Sequence, residues 1–296
     1  MNEPGGSVRI DGDPDRFQRE VHVPPRTNRW IPIVVLLLLL GAGAGGLYWW
    51  KQSIVETKPE AATVAPSAAQ ATKSEPETST HYPPPAVPPA EQAQAKPLPP
   101  LDQSDAAARE ALVDLVGSET VARLLSTQDV IRHVVVTVDN LPRKTVAARM
   151  NPVKPAGGEF RIAADGDRRT ISADNAARYT PYVKLADQVD TKKLVNAYGK
   201  LYPLFQKAYE DLGYPNAFFN DRLIAVLDHL IATPDASGPI AVVAPHVQYQ
   251  YADPDLEAQS AGRKFLMRIG PANAAAIKAK LREIRRELTK AGAGAK

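Results

Sequence analysis

Few residues in this sequence have the type and spacing that chemistry requires. Past residue 104 the histidines are His133, His229 and His246, and none stands in an HExxH or other close pair. A metal or acid–base site would have to be assembled by the fold alone. Ser260 lies in AQSAG (258–262), one residue short of the GxSxG nucleophile elbow. That elbow needs a strand, a sharp turn and a helix, and the local pattern places Ser260 inside a helix. There is no SxxK and no GxxxxGK[ST] phosphate loop. Asp187 and Asp190, or Asp253, Asp255 and Glu257, offer carboxylates for a pair, although Asp253 already suits a helix cap. Cysteine is absent, which excludes disulfides, thiolate metal sites, iron–sulfur clusters and thiol nucleophiles. No catalytic residue, metal or cofactor is therefore expected.

Binding chemistry is better represented. Ile277, Leu281, Ile284 and Leu288 form a narrow apolar seam on a final helix, residues 272–290. Lys278, Arg282, Arg285 and Arg286 flank it at helical angles, with Glu283 and Glu287 on the other side. Residues 262–290 carry nine bases and two acids, although the whole chain has a net charge of only +3. A basic face of this kind suits an acidic partner, or is simply solvated. The seam is narrow and lacks Trp, so membrane insertion is not expected. A second stripe, Tyr198, Tyr202, Phe205 and Tyr209, follows helical spacing. It reads as core, with a ligand platform as the alternative.

Other elements must position these groups. Residues 30–50, WIPIVVLLLLLGAGAGGLYWW, carry no charge. At about 1.5 Å per residue they match the roughly 30 Å hydrocarbon core of a bilayer. Trp30 stands at one end, with Tyr48, Trp49 and Trp50 at the other. Arg26 and Arg29 precede the span, so residues 1–29 are expected in the cytoplasm and the rest outside it. A cleaved signal peptide ending at Ala42-Gly43-Ala44 is the rival reading. Gly41 and Gly45 form a GxxxG pair that could pack two such helices into a homodimer.

Eleven of the 27 prolines fall between Pro59 and Pro100. Residues 51–103 therefore read as a disordered spacer with polyproline II stretches. About 190 residues remain for one core. Helices are expected at 104–116, 118–125, after a Ser126/Asp129 capping box, around the aromatic stripe with a kink or restart near Tyr202 caused by Pro203, and from Asn220 or Asp221. A further helix is expected from Pro254 to about Ile269. Asp165-Gly166-Asp167 marks a hairpin, and 240–243 with 247–251 two more strands.

Four stretches in order, TVDNLPR (137–143), YGKLYPLFQKAYEDLGY (198–214), FFNDRLIAVLDHLIATP (218–234) and YADPDLEAQSAGRKFLMRIGP (251–271), resemble a bacterial family. It is catalogued as domain-of-unknown-function family 3014. The resemblance covers roughly 104–290. It implies an envelope protein with an N-terminal anchor, and transfers no activity and no functional residue.

The fold expected is mostly α (α+β). Its parts are a disordered tail at 1–29, a single-pass transmembrane helix at 30–50 and a disordered linker at 51–103. A helical domain with a few short strands follows at 104–290, then a flexible end at 291–296. The expected protein is anchored in the inner membrane through its lipid-facing span. Its periplasmic domain would bind another envelope macromolecule, an acidic protein among them, and not nucleic acid. The alternative is an envelope or cell-wall hydrolase with a carboxylate or serine site.

Overall fold

The computed structural model describes residues 81–92, 96–236, 238–245 and 249–293. The expected tail 1–29, the span 30–50 with Gly41 and Gly45, spacer residues 51–80 and His246 lie outside the described residues. Among the described residues no helix is long and apolar enough to cross a membrane.

The described chain is mostly helical with a few short strands. After α1 (Pro89–Gln92) and a 3-10 turn at Leu101–Gln103 come α2 (Asp105–Val116), α3 (Ser118–Leu124) and α4 (Val130–Asn140). The hairpin β1 (Ile162–Asp165) and β2 (Arg168–Ile171) leads to α5 (Asp174–Ala177) and α6 (Thr180–Asp187). The long α7 (Thr191–Asp211) and α8 (Phe219–Ile231) precede β3 (Val242–Val243) and β4 (Gln250–Tyr251). The last elements are α9 (Pro254–Glu257), α10 (Ala261–Arg268) and α11 (Pro271–Ala293).

The core forms where α4, α7, α8 and α11 pack on one another. Each contributes one apolar face. Val134 and Val138 come from α4, Leu194 and Phe205 from α7, Leu223 and Leu227 from α8, and Leu281 and Ile284 from α11. Helical spacing puts each set on one side, and burial of that side stabilises helices that would not persist alone. The aromatic stripe is part of this core. Phe205 stacks on Phe219 with centroids 5.7 Å apart, and Tyr198 lies 5.3 Å from Phe205. β1 and β2 pair with Asp165 opposite Arg168, as the Asp-Gly turn implies. A bridge from Thr170 to Ala241 joins this hairpin to the β3–β4 pair, around a small second core of Val242, Tyr251 and Met267.

Four local expectations are corrected by contacts from afar. The Ser126/Asp129 capping box does not form. Asp129 adopts φ 48°, and the Asp105 carboxylate accepts from the amides of Asp129 at 2.9 Å and Val130 at 3.1 Å. α7 does not restart near Tyr202 but runs through Pro203 as one helix of 21 residues. The ring costs one backbone bond, while burial of Tyr198, Leu204, Phe205 and Tyr209 on both sides of it holds the helix together. The expected helix from Pro254 to Ile269 is divided in two. Ser260 is the N-cap of α10, its hydroxyl accepting from the Arg263 amide at 3.3 Å. The amides of Ala261 and Gly262 donate to Arg143 O and Leu141 O at 2.7 and 2.9 Å.

The fourth correction concerns the spacer. Its described end is seated on the domain. Pro85 is buried, and Tyr82 and Leu101 pack against the main core. Proline-fixed backbone loses little freedom on docking. Side-chain hydrogen bonds from α8 then hold a segment that has no core of its own. α11 also extends past residue 290 to Ala293.

Candidate interaction site

Two surfaces bear the residues that could engage a partner. The first is α11. At 100° per residue its buried seam lies opposite Ala275, Ala279, Arg282, Arg286 and Lys290, which are all exposed. The four basic candidates therefore separate. Lys278 is 6 % exposed, and its Nζ donates to Thr233 O at 3.0 Å and Asp235 Oδ1 at 2.6 Å. Arg285 forms a two-pronged pair with the Asp228 carboxylate on α8. That bond strengthens the guanidinium's hold on its proton, and the Tyr82 hydroxyl adds to it. Arg282 and Arg286 remain on the solvent face, and their side chains make no hydrogen bond or ion pair among the described residues. Lys280 is also buried, donating to Val189 O at 3.0 Å and Glu283 at 2.6 Å. The Lys280 bond holds the Glu283 carboxyl below the usual range.

The second surface is the cleft between α7 and the start of α8, where residues 81–87 lie. The Asn220 side-chain amide donates to Tyr82 O at 3.0 Å and Pro83 O at 3.2 Å. Its oxygen accepts from the Tyr198 hydroxyl at 3.2 Å, which fixes the amide's orientation. Burial pushes the Tyr198 phenol well above its ordinary pKa and that of Tyr202 up to about 12, so both stay protonated. The Asp221 carboxylate accepts from the Tyr82 amide at 2.7 Å and meets His81 Nδ1 at 3.0 Å. The His81 ring lies 4.2 Å from that of Phe218. Sequence reasoning passed over Asn220 and Asp221 as possible helix starts. The signal was present: two polar residues directly follow the Phe218-Phe219 pair, on a helix that otherwise faces the core.

The next residue, Arg222, braces this cleft. Its Nε donates to Asp139 Oδ1 at 3.0 Å, and Arg143 Nη2 reaches Asp139 Oδ2 at 2.6 Å. Tyr214 lies 2.9 Å from Arg143 Nη2 and 3.4 Å from Asp139 Oδ2. Asp139 thus ties α4 to α8 and to the loop before it.

Ser260 meets His229, with Oγ 2.8 Å from Nε2. The hydroxyl is also the cap of α10, and no carboxylate hydrogen-bonds His229 among the described residues. Burial, then Arg263 and Arg222, lower the His229 pKa. Burial likewise lowers that of His133, whose Nδ1 is buried without a partner. In both histidines burial disfavours the charged form in the folded state. The unfolded chain therefore binds more protons from about pH 6.5 downward, and stability present above that pH is lost as the pH falls. Melting temperature should decline between pH 7.5 and 5, and a His133→Gln/His229→Gln variant should flatten the profile. An unchanged slope in that variant would place the titration elsewhere. Among the described residues no group of three or more metal-ligating side chains converges.

Residues 130–285 match the family model described as Protein of unknown function (DUF3014). The chain belongs to this family. No curated protein matches it, and neither does any solved structure. The DUF3014 match takes in Asp139, Gly199, Asn220, Asp221, Arg222 and Arg282. It leaves out residues 81–87, so the cleft lies in the family's shared region and the segment filling it does not.

Proposed function

We propose that the protein is a membrane-tethered interaction module. Residues 30–50 anchor it in the inner membrane, pairing through Gly41 and Gly45 where two copies meet. Residues 51–80 give reach, and the helical domain contacts an acidic macromolecule of the envelope from the periplasmic side. The observation that carries this reading is the sorting of the α11 bases. Lys278 and Lys280 are buried with partners inside the domain and Arg285 is paired with Asp228 at its surface, whereas Arg282 and Arg286 project together from the solvent face.

Charge at the rim of an interface mainly sets encounter rate and partner choice. Arg282→Glu/Arg286→Glu should weaken partner retention about tenfold or more at low salt, and raising the salt should weaken the parent's retention toward that of the variant. Folding stability should stay within about 0.5 kcal/mol of the parent, because both side chains are exposed and unpaired. Quantitative affinity purification at two salt concentrations reads this. Retention unchanged by charge reversal removes the α11 face from the interface.

A further inference from the structure

We infer that the cleft between α7 and α8 is a recognition site for proline-rich extended peptides of a partner protein, and that residues 81–87 occupy it in cis as a built-in competitor. This goes beyond the α11 reading and uses a different surface.

The cleft's chemistry matches what such a peptide offers. A polyproline II segment has no internal hydrogen bonds, and its prolines present carbonyls but no N–H. Asn220 is fully buried, and its amide nitrogen is aimed at two successive carbonyls, those of Tyr82 and Pro83. The one N–H before the run, that of Tyr82, meets an acceptor in Asp221. Pro85 lies over Gly199, where an added Cβ would stand 2.9 Å from Pro85 O. The cleft floor therefore requires glycine for this approach. Tyr198 and Tyr202 pair edge to face at 5.7 Å beside Asn220, which takes the Tyr198 hydroxyl, and Phe218, an exposed aromatic, supplies an outer wall that His81 uses. Aromatic walls plus donors to carbonyls are the general means of holding proline-rich ligands.

Most of these contacts go to backbone, the Tyr82 amide and the carbonyls of Tyr82, Pro83 and Pro85, while the His81 ring adds a side-chain contact through Asp221 and Phe218. Another segment with the same pattern would satisfy them equally. A buried amide whose donors are met only by a docked strand also makes an empty cleft costly. The cis segment meets that need until a ligand replaces it. Its short tether to α2 gives it an effective concentration on the order of millimolar, so a free peptide competes poorly with the intact chain.

The test uses the full chain in detergent and a fluorescent synthetic peptide copying residues 79–90. Pro83→Gly/Pro84→Gly/Pro85→Gly should release the cis segment. The released chain should bind the peptide about tenfold or more tighter than the parent does. Adding Asn220→Ala to it, or replacing the peptide's prolines with alanine, should abolish binding. A folded released chain that ignores the peptide overturns the inference, as does binding indifferent to Asn220→Ala. Should the triple variant not fold, hydrogen exchange on the parent decides. Excess peptide should then lower protection of the Tyr82 amide, and unchanged protection at saturating peptide overturns the inference. Concentration-dependent dimerisation of the released chain that the peptide does not reverse would assign the cleft to a second copy and overturn the partner assignment.

Discussion

Phe219→Ala is expected to lower folding stability by about 3–5 kcal/mol, the range for truncating a large aromatic side chain in a core. Phe219 is 1 % exposed, and its ring contacts those of Phe205, Tyr198 and Tyr209 at centroid distances of 5.7, 6.5 and 5.6 Å. It also lines an apolar cavity of about 40 Å³ between α2, α4, α7, α8 and α11. Removing the ring would enlarge a void that already exists. Several helices frame it, so collapse is incomplete and the cost approaches the upper end. A second effect follows from position. Phe219 directly precedes Asn220, Asp221 and Arg222, which hold the 81–87 segment and Asp139. Urea denaturation measures the loss. A decrease under about 1 kcal/mol would show that the aromatic cluster is not the centre of the core.

Asp139→Ala should cost a comparable amount, about 3–5 kcal/mol, by a different cause. The Asp139 side chain is 4 % exposed and accepts from Arg222, Arg143 and Tyr214. Removing it leaves the Arg222 guanidinium, 26 % exposed, without its carboxylate. Breaking a buried pair by deleting one partner is far more harmful than the pair's own net contribution suggests. Arg143 is 52 % exposed, so water can replace what it loses. Arg143→Ala should therefore cost only about 1 kcal/mol or less. The expected order is Asp139→Ala, then Arg222→Ala, then Arg143→Ala. A double-mutant cycle on Asp139 and Arg222 should show strong coupling. Additive losses would mean that the two side chains act independently.

Much of the helical framework was legible because local signals and burial agree. α2 runs from Asp105 to Val116 and is closed by Gly117, which has φ 75°. The turn at Gly166 sets the β1–β2 register. The aromatic stripe on α7 reads correctly as core because its period alone decides which face is buried. The failures have one common origin. At Asp129 and next to Ser260 residues distant in sequence supply helix-end hydrogen bonds, and at Pro203 burial on both sides of the ring outweighs the lost one. Asp105 caps α4, core burial carries α7 past its proline, and the Leu141 and Arg143 carbonyls anchor α10. No window of neighbouring residues contains that information.

The candidate surfaces divide in the same way. Helical angles identified the basic flank of α11. They could not show that Lys278 would find Asp235 and Thr233, or that Arg285 would find Asp228. Those partners arrive from the end of α8 and the loop after it. The spacer's end was misjudged because its composition lacks large apolar groups. What holds it is hydrogen bonding from Asn220 and Asp221, more than 130 residues further along the chain.

The central claim is that the solvent face of α11 meets an acidic partner. A photo-crosslinking amino acid at Ala279, between Arg282 and Ala275 on that face, tests it in native membranes. One discrete adduct is predicted, lost at high salt and lost again in Arg282→Glu/Arg286→Glu. No adduct, or an adduct that survives charge reversal, would contradict it.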